Sequence, residues 1–314
     1  MLSTKSLRNQ GLIPHPPSIQ TAFKPLPEVS SVASPESGGF SSSLFRLAAR
    51  KLGVLLGVCL VATLLSTSTF AGEISIAPQA SWYQYKEPGL MKVYGPMYGV
   101  SVSFLNTTDS PNPQGQLRGR FDYMRSRTED LTYDGAFMDG TPYKYKGDTF
   151  WFFDTMVAGG LEDRVAEKFS VAPYLGLGWR NHVDKKDPEP GDYKRKQTYL
   201  YLPIGIDWKI FPTRGLELSF NTELDVLLRG KNTTYLGGEA MEFAQNSGYG
   251  LRFSTKLEYN FGKAGIFVEP FFRYWNIADS ETKCYYLPDY NATFCGLEPK
   301  NNTREFGMKI GVSF

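Results

Sequence analysis

Histidine is nearly absent from this 314-residue chain, which has only His15 and His182, and cysteine is scarce, with three. So few ligands argue against a zinc site, and there is no glycine-rich phosphate loop, paired CxxC motif or metal-ligand cluster, so no cofactor is implied. An excess of charge of one sign is lacking too: the formal net charge is +2 and no basic stripe stands out, which excludes an evident nucleic-acid surface. Long hydrophobic runs are limited to one, and from Gly72 onward no convincing helix can be read.

That run, Leu52 to Leu65, is preceded by Arg46, Arg50 and Lys51 and followed by a small-residue stretch ending in Ala71. A basic start, a short apolar core and a small exit make residues 46–71 a secretory signal peptide, cleaved after Ala71. A core of about fourteen residues is too short to span a bilayer comfortably. Cys59 lies mid-core behind the bulky Val58, which does not suit a lipoprotein anchor. Residues 1–45, rich in Pro and Ser, read as a disordered extension or a start placed too far upstream. Residues 72–314 are left as one domain with 28 basic and 30 acidic residues and two cysteines. In an oxidising compartment an even pair, Cys284 and Cys295, reads as a disulfide closing a small loop, the alternative being two free thiols.

Within 72–314 ten segments alternate apolar and polar side chains with the period of two that a strand imposes. The clearest are 97–105, 198–211, 216–228, 250–261 and the C-terminal 303–314; the others are 73–85, 116–126, 149–159, 169–180 and 265–276. The far end of the first breaks the pattern, with Gln84 on the apolar face and Tyr83 and Tyr85 on the polar one. Both faces of 149–159 carry aromatics. Connections alternate in length: 86–96, 127–148, 181–197, 229–249 and 277–302 are long, while 106–115, 160–168, 212–215 and 262–264 are short. Long loops on one side, short turns on the other and an even strand number imply an all-β protein, a closed antiparallel transmembrane β-barrel of about ten strands (8 to 12), with both termini on the periplasmic side. Trp82, Trp151, Trp179 and Trp275 fall near outward strand ends and Trp208 near an inward one, as expected for aromatic girdles.

The alternation and the terminal aromatic residue together carry a resemblance. The chain resembles Gram-negative bacterial outer-membrane barrels of the OmpA-like and porin-like type over Gly72 to Phe314. Phe314 is similar to the C-terminal signal read by the barrel assembly machinery, with Lys309 where the usual pattern has glycine. The resemblance implies export through the periplasm to the outer membrane, with membrane lipid and lipopolysaccharide as neighbours. The polar faces place Arg118, Arg120, Asp122, Glu217, Glu223, Asp225, Arg252, Lys256, Glu258, Glu269, Arg273, Glu305 and Lys309 in the lumen. Opposite charges across a ladder make a plug of interlocked ion pairs one reading and a narrow porin-like channel past those charges the other.

Ten-stranded barrels also include the omptin proteases, which use aspartates and an Asp/His pair near the outward rim. Here His182 and Asp184 end the fifth strand, and Asp130, Asp134 and Asp139 lie in the preceding outward loop. The acid follows the histidine instead of preceding it and no adjacent acid pair stands nearby, so a solvated loop histidine is the expectation and a structural or surface-binding barrel is favoured over an enzyme. Aromatic loop segments, Tyr285 to Tyr290 and Asp130 to Tyr133, are candidates for surface contacts. The Asn-x-Thr triplets at Asn106, Asn232, Asn291 and Asn301 read as loop composition.

Overall fold

The computed structural model describes residues 71–108, 112–136, 140–186, 194–236, 239–287 and 292–314. The expected extension and signal peptide lie outside these apart from Ala71, as do Asp139, Tyr290 and Asn291. The strands are β1 (Ala71–Glu87), β2 (Met91–Thr107), β3 (Gln114–Arg125), β4 (Leu131–Ala136), β5 (Pro142–Ala166), β6 (Phe169–Lys186), β7 (Lys194–Thr213), β8 (Leu216–Leu236), β9 (Glu239–Ala244), β10 (Gly248–Phe261), β11 (Ala264–Ile277), β12 (Lys283–Leu287), β13 (Ala292–Gly296) and β14 (Asn301–Ser313).

Ten of them form a closed antiparallel barrel, because β1 pairs with both β14 and β2 and so leaves no edge. Closure is what lipid demands, since an unpaired backbone group there costs several kcal/mol. At the seam Trp82 stands opposite Phe306, and the terminal residue is held by Phe314 N donating to Ile74 O at 2.9 Å and accepting from Ile74 N through its own carbonyl at 3.0 Å. Along each strand the apolar face looks out. Ile310 is 63% exposed and its inward neighbour Lys309 7%.

The strands are longer than a membrane needs. β5 has 25 residues, whereas about 9–11 cross the hydrocarbon core, so the barrel wall projects past the outward interface. Two of its staves are broken there. β4 takes up the wall where β3 stops, pairing with both β2 and β5, and β9 lies beside β8 above the start of β10.

This projection corrects several sequence boundaries. The segments 86–96 and 229–249 are mostly strand, and 127–148 contains β4 and the start of β5. Above the bilayer both faces of a strand are covered by protein, so the apolar alternation that marks a strand in lipid fades: Asn181, His182, Val183 and Asp184 are consecutive and all buried. Asn106, Asn232 and Asn301 likewise sit in strands rather than loops. Trp82, Trp179 and Trp208 face outward as expected, but Trp275 does not belong to the girdle. It is 2% exposed and packs inside against Tyr199 and Tyr201.

Candidate functional site: the filled lumen

The inward-facing side chains form successive layers along the bore. At the periplasmic end is a cavity of about 210 Å3 whose lining includes Glu73, Arg118, Lys209, Glu217, Lys256 and Glu269. Arg118 bonds Asp207 at 2.5 Å and lies over the Tyr174 ring, 4.0 Å from its centre. Lys256 is held between Glu258 and Glu73, and Lys209 bonds Glu162 at 2.7 Å. Glu258 also accepts from Ser313, and Glu217 from Ser219 at 2.7 Å.

Above the cavity the bore is crossed by a belt of buried ion pairs. Arg252 bonds Asp154 at 2.5 Å, Asp225 at 2.9 Å and Glu223 at 3.0 Å. Arg273 bonds Asp122 at 3.0 Å and Glu305 at 3.4 Å, and Arg120 bonds Glu223 at 2.8 Å. Lys309 lies 3.2 Å from Glu269 and 4.0 Å from Asp122, and Arg180 reaches Asp154 at 3.2 Å. Counting Arg120, Arg180, Arg252, Arg273 and Lys309 against Asp122, Asp154, Glu223, Asp225, Glu305 and the Glu269 that bonds Lys309, the belt sets five basic groups against six acidic ones, close to balance. Neutral hydrogen-bonders complete it: Gln79 donates to Asp122, Ser81 to Glu305, Tyr174 to Glu223 and Tyr201 to Asp154. A charge balance of this kind offsets the desolvation that burying any one of these groups would incur alone.

Outward of the belt the lumen turns aromatic. Tyr83, Tyr85, Phe150 and Phe152 are fully buried and pack with Met97, Met124 and Leu131. His182 lies in this layer, 5.1 Å from Phe150 and 5.9 Å from Tyr83 between ring centres, with Nδ1 3.0 Å from Gln197 Oε1. It is 3% exposed, so it is an interior residue and not the solvated loop histidine that the sequence suggests. Asp184 is directed to another partner, Arg195, at 3.5 Å.

A polar cluster lies toward the outward end. Arg195 Nη1 bonds Glu87 at 2.5 Å and Glu298 at 2.9 Å. Glu298 comes from the last outward loop, where its N–H donates to Ser280 Oγ at 2.8 Å and its carbonyl accepts from Ser280 N at 2.9 Å. Burial pushes its carboxyl up to about 7; Arg195 pulls it down and Glu87 adds to the rise. The same loop carries the Cys284–Cys295 disulfide, which joins facing positions of the β12–β13 hairpin. Tyr285 Oη of that hairpin donates to Glu242 O at 2.5 Å and leans edge-on to Phe243 of β9.

Of the charged residues read from the sequence, Arg120, Asp122, Glu223, Asp225, Arg252, Arg273, Glu305 and Lys309 meet in the belt, while Arg118, Glu217, Lys256 and Glu269 line the cavity and Glu258 bonds Lys256. Sequence reading missed Asp154 and Arg180, which complete the belt, and Glu87, Arg195 and Glu298, which form the outward cluster. Arg180 was within reach, one step past Trp179 on the opposite face. Asp154 was hidden because its strand has aromatics on both sides.

In fold the chain is similar to the outer membrane protease OmpT from Escherichia coli, with a TM-score of 0.53 at 9% identity over 79% of this chain and 99% of that one. At that identity the likeness concerns the fold alone. The translocator domain of the autotransporter NalP from Neisseria meningitidis (TM-score 0.41, 12% identity, 86% of this chain and 97% of that one) and Ail from Yersinia pestis (0.30, 12%, 77% and 99%) superpose too loosely to carry an argument. No family model and no curated protein matches the chain. A closed ten-stave wall with an apolar exterior and a polar interior defines the class: an integral β-barrel of the bacterial outer membrane.

Proposed function

We propose that this barrel is a non-conducting scaffold that presents its outward loops at the cell surface, with the interior charges acting as a plug. The belt around Arg252 and Asp122 carries this reading. An aqueous path would need its charges solvated, yet Asp122, Asp154 and Asp225 are wholly buried and each is bonded to a cation. The aromatic layer and the Arg195 cluster stand in series with the belt, so a solute would have to displace three barriers. The disulfide-stapled hairpin, with Tyr286 57% exposed, is the part best suited to meet a surface, glycan or protein.

Catalysis is not part of this reading. Among the described residues, those bonded to His182 are an amide and a tyrosine, with aromatic rings around it and no carboxylate, an arrangement unsuited to activating water. Phe314, 56% exposed at the end of β14, is assigned to recognition by the barrel assembly machinery.

The test is the swelling of proteoliposomes in a small sugar such as arabinose, with folded protein confirmed by its faster migration on an unheated detergent gel. Swelling at the rate of protein-free liposomes is expected. Swelling that rises with protein content would overturn the plugged lumen.

A further inference from the structure

The lumen does not account for a cleft on the outer wall. It lies across three neighbouring staves, β2, β1 and β14, near their outward ends, encloses about 390 Å3 and is lined by Trp82, Gln84, Lys92, Tyr94, Arg304 and Phe306. Register places Gln84 opposite Arg304 and Trp82 opposite Phe306, with the exposed Lys86 one step further out on the same face of β1. Cations on the membrane-facing wall of a barrel are costly unless something negative meets them. Lys92 has Asp134 at 3.2 Å, with the two side chains 40% and 35% exposed, a pair too solvated to hold it firmly. Arg304 is exposed, its guanidinium carbon 6.0 Å from the centre of the Tyr274 ring.

What lies below the cations selects the ligand. Toward the periplasm the same staves present Ile74 and Ile76 on β1 and Met308, Ile310 and Val312 on β14, all at least 40% exposed. A positive rim above a continuous apolar wall matches an amphiphile with an anionic head and several chains. The rim sits at the level of Trp82 and Tyr94, whose rings suit the headgroup zone. A guanidinium and an ammonium side by side suit a phosphate, the arginine in bidentate fashion and the lysine as a point charge.

We propose that this cleft is a binding site for lipopolysaccharide, in which Arg304 and Lys92 hold a phosphate of the lipid A headgroup while its acyl chains lie along β1 and β14. Gln84, between the two cations, is placed to donate to the same phosphate or to the sugar bearing it. Seating this lipid would fix the seam at which the barrel closes. The site is independent of whether the bore conducts.

The test uses the intact protein in mild detergent, stripped of lipid and titrated with diphosphorylated lipid A, with binding read by native mass spectrometry. Saturation by a single lipid is expected, and Arg304→Glu combined with Lys92→Glu weakens it by at least about tenfold, the scale of one lost charge-assisted contact. Arg229→Glu, which reverses another exposed cation away from the cleft, changes it by less than about twofold. Lipid A stripped of its phosphates binds as weakly as the double variant does. Should the double reversal fail to close its barrel, Arg304→Gln with Lys92→Gln carries the same expectation. Equal binding of the dephosphorylated lipid, an equal loss in the Arg229 control, or displacement of the lipid by an equal concentration of inorganic phosphate would each overturn the proposal.

Discussion

Arg252 on β10 reaches across the bore to Asp154 on β5, its Nη2 lying 2.5 Å from Oδ2, although β8, β7 and β6 separate the two strands around the wall. A bond between far staves ties the cylinder across its diameter, which neighbouring ladder bonds cannot do. With Asp225 and Glu223 on the same guanidinium, Arg252 is the hub of the belt.

Removing the hub leaves buried carboxylates facing one another. Arg252→Ala is expected to destabilise the folded barrel by about 3–5 kcal/mol, the usual cost of stranding a buried charge. Urea unfolding in detergent micelles, followed by the gel-migration shift, measures it. A loss under about 1 kcal/mol, as for an exposed pair, would mean that water already solvates the belt.

The position of His182 makes a chemical prediction. Its imidazole is enclosed by Tyr83, Phe150 and Phe152, so diethylpyrocarbonate should leave it unmodified in the folded barrel and modify it after unfolding. Peptide mapping distinguishes the two states. Rapid modification of the folded protein would place the ring in open solvent and reopen a catalytic role.

The outward cluster should respond to pH. Folding raises the Glu298 carboxyl from an ordinary 4.5 to about 7. Such a group binds its proton more tightly in the docked loop, so its contribution is fully present below pH 4.5 and is lost as pH rises through 7. The loss is on the order of 3 kcal/mol at most. Hydrogen exchange at the Glu298 and Ser280 amides should therefore be slower at pH 5 than at pH 8, after correction for the intrinsic rate. Glu298→Gln should abolish the difference; an unchanged difference in that variant would assign it to another group.

Reducing the Cys284–Cys295 disulfide should loosen one hairpin and not the barrel. The bond closes a short loop, and a cross-link of this kind contributes up to about 3 kcal/mol to the segment it closes. Protease cleavage within 283–296 should accelerate on reduction while the unfolding midpoint stays fixed. A large fall in the midpoint would show that the hairpin supports the wall.

The sequence made the membrane-spanning part legible for a physical reason: lipid outside and polar groups inside force alternation on every stave. That is why Arg118, Arg120 and Asp122 could be placed inward from β3 alone. The same rule failed above the bilayer, where protein covers both faces and His182 and Val183 are equally buried. Tyr83 and Tyr85 appeared to violate the pattern because the bore itself changes from charged to aromatic at that height. The partners of the belt residues were also beyond reach, since Arg252 and Asp154 meet only through the curvature and stagger of the closed barrel.

The most direct test of the closed lumen is single-channel recording of the folded protein in a planar lipid bilayer. A silent bilayer is expected for the wild type, and small discrete steps when Arg252→Ala, Tyr83→Ala and Arg195→Ala together remove one member of each of the three barriers. Regular steps from the wild type would contradict it and make the buried charges the lining of a path.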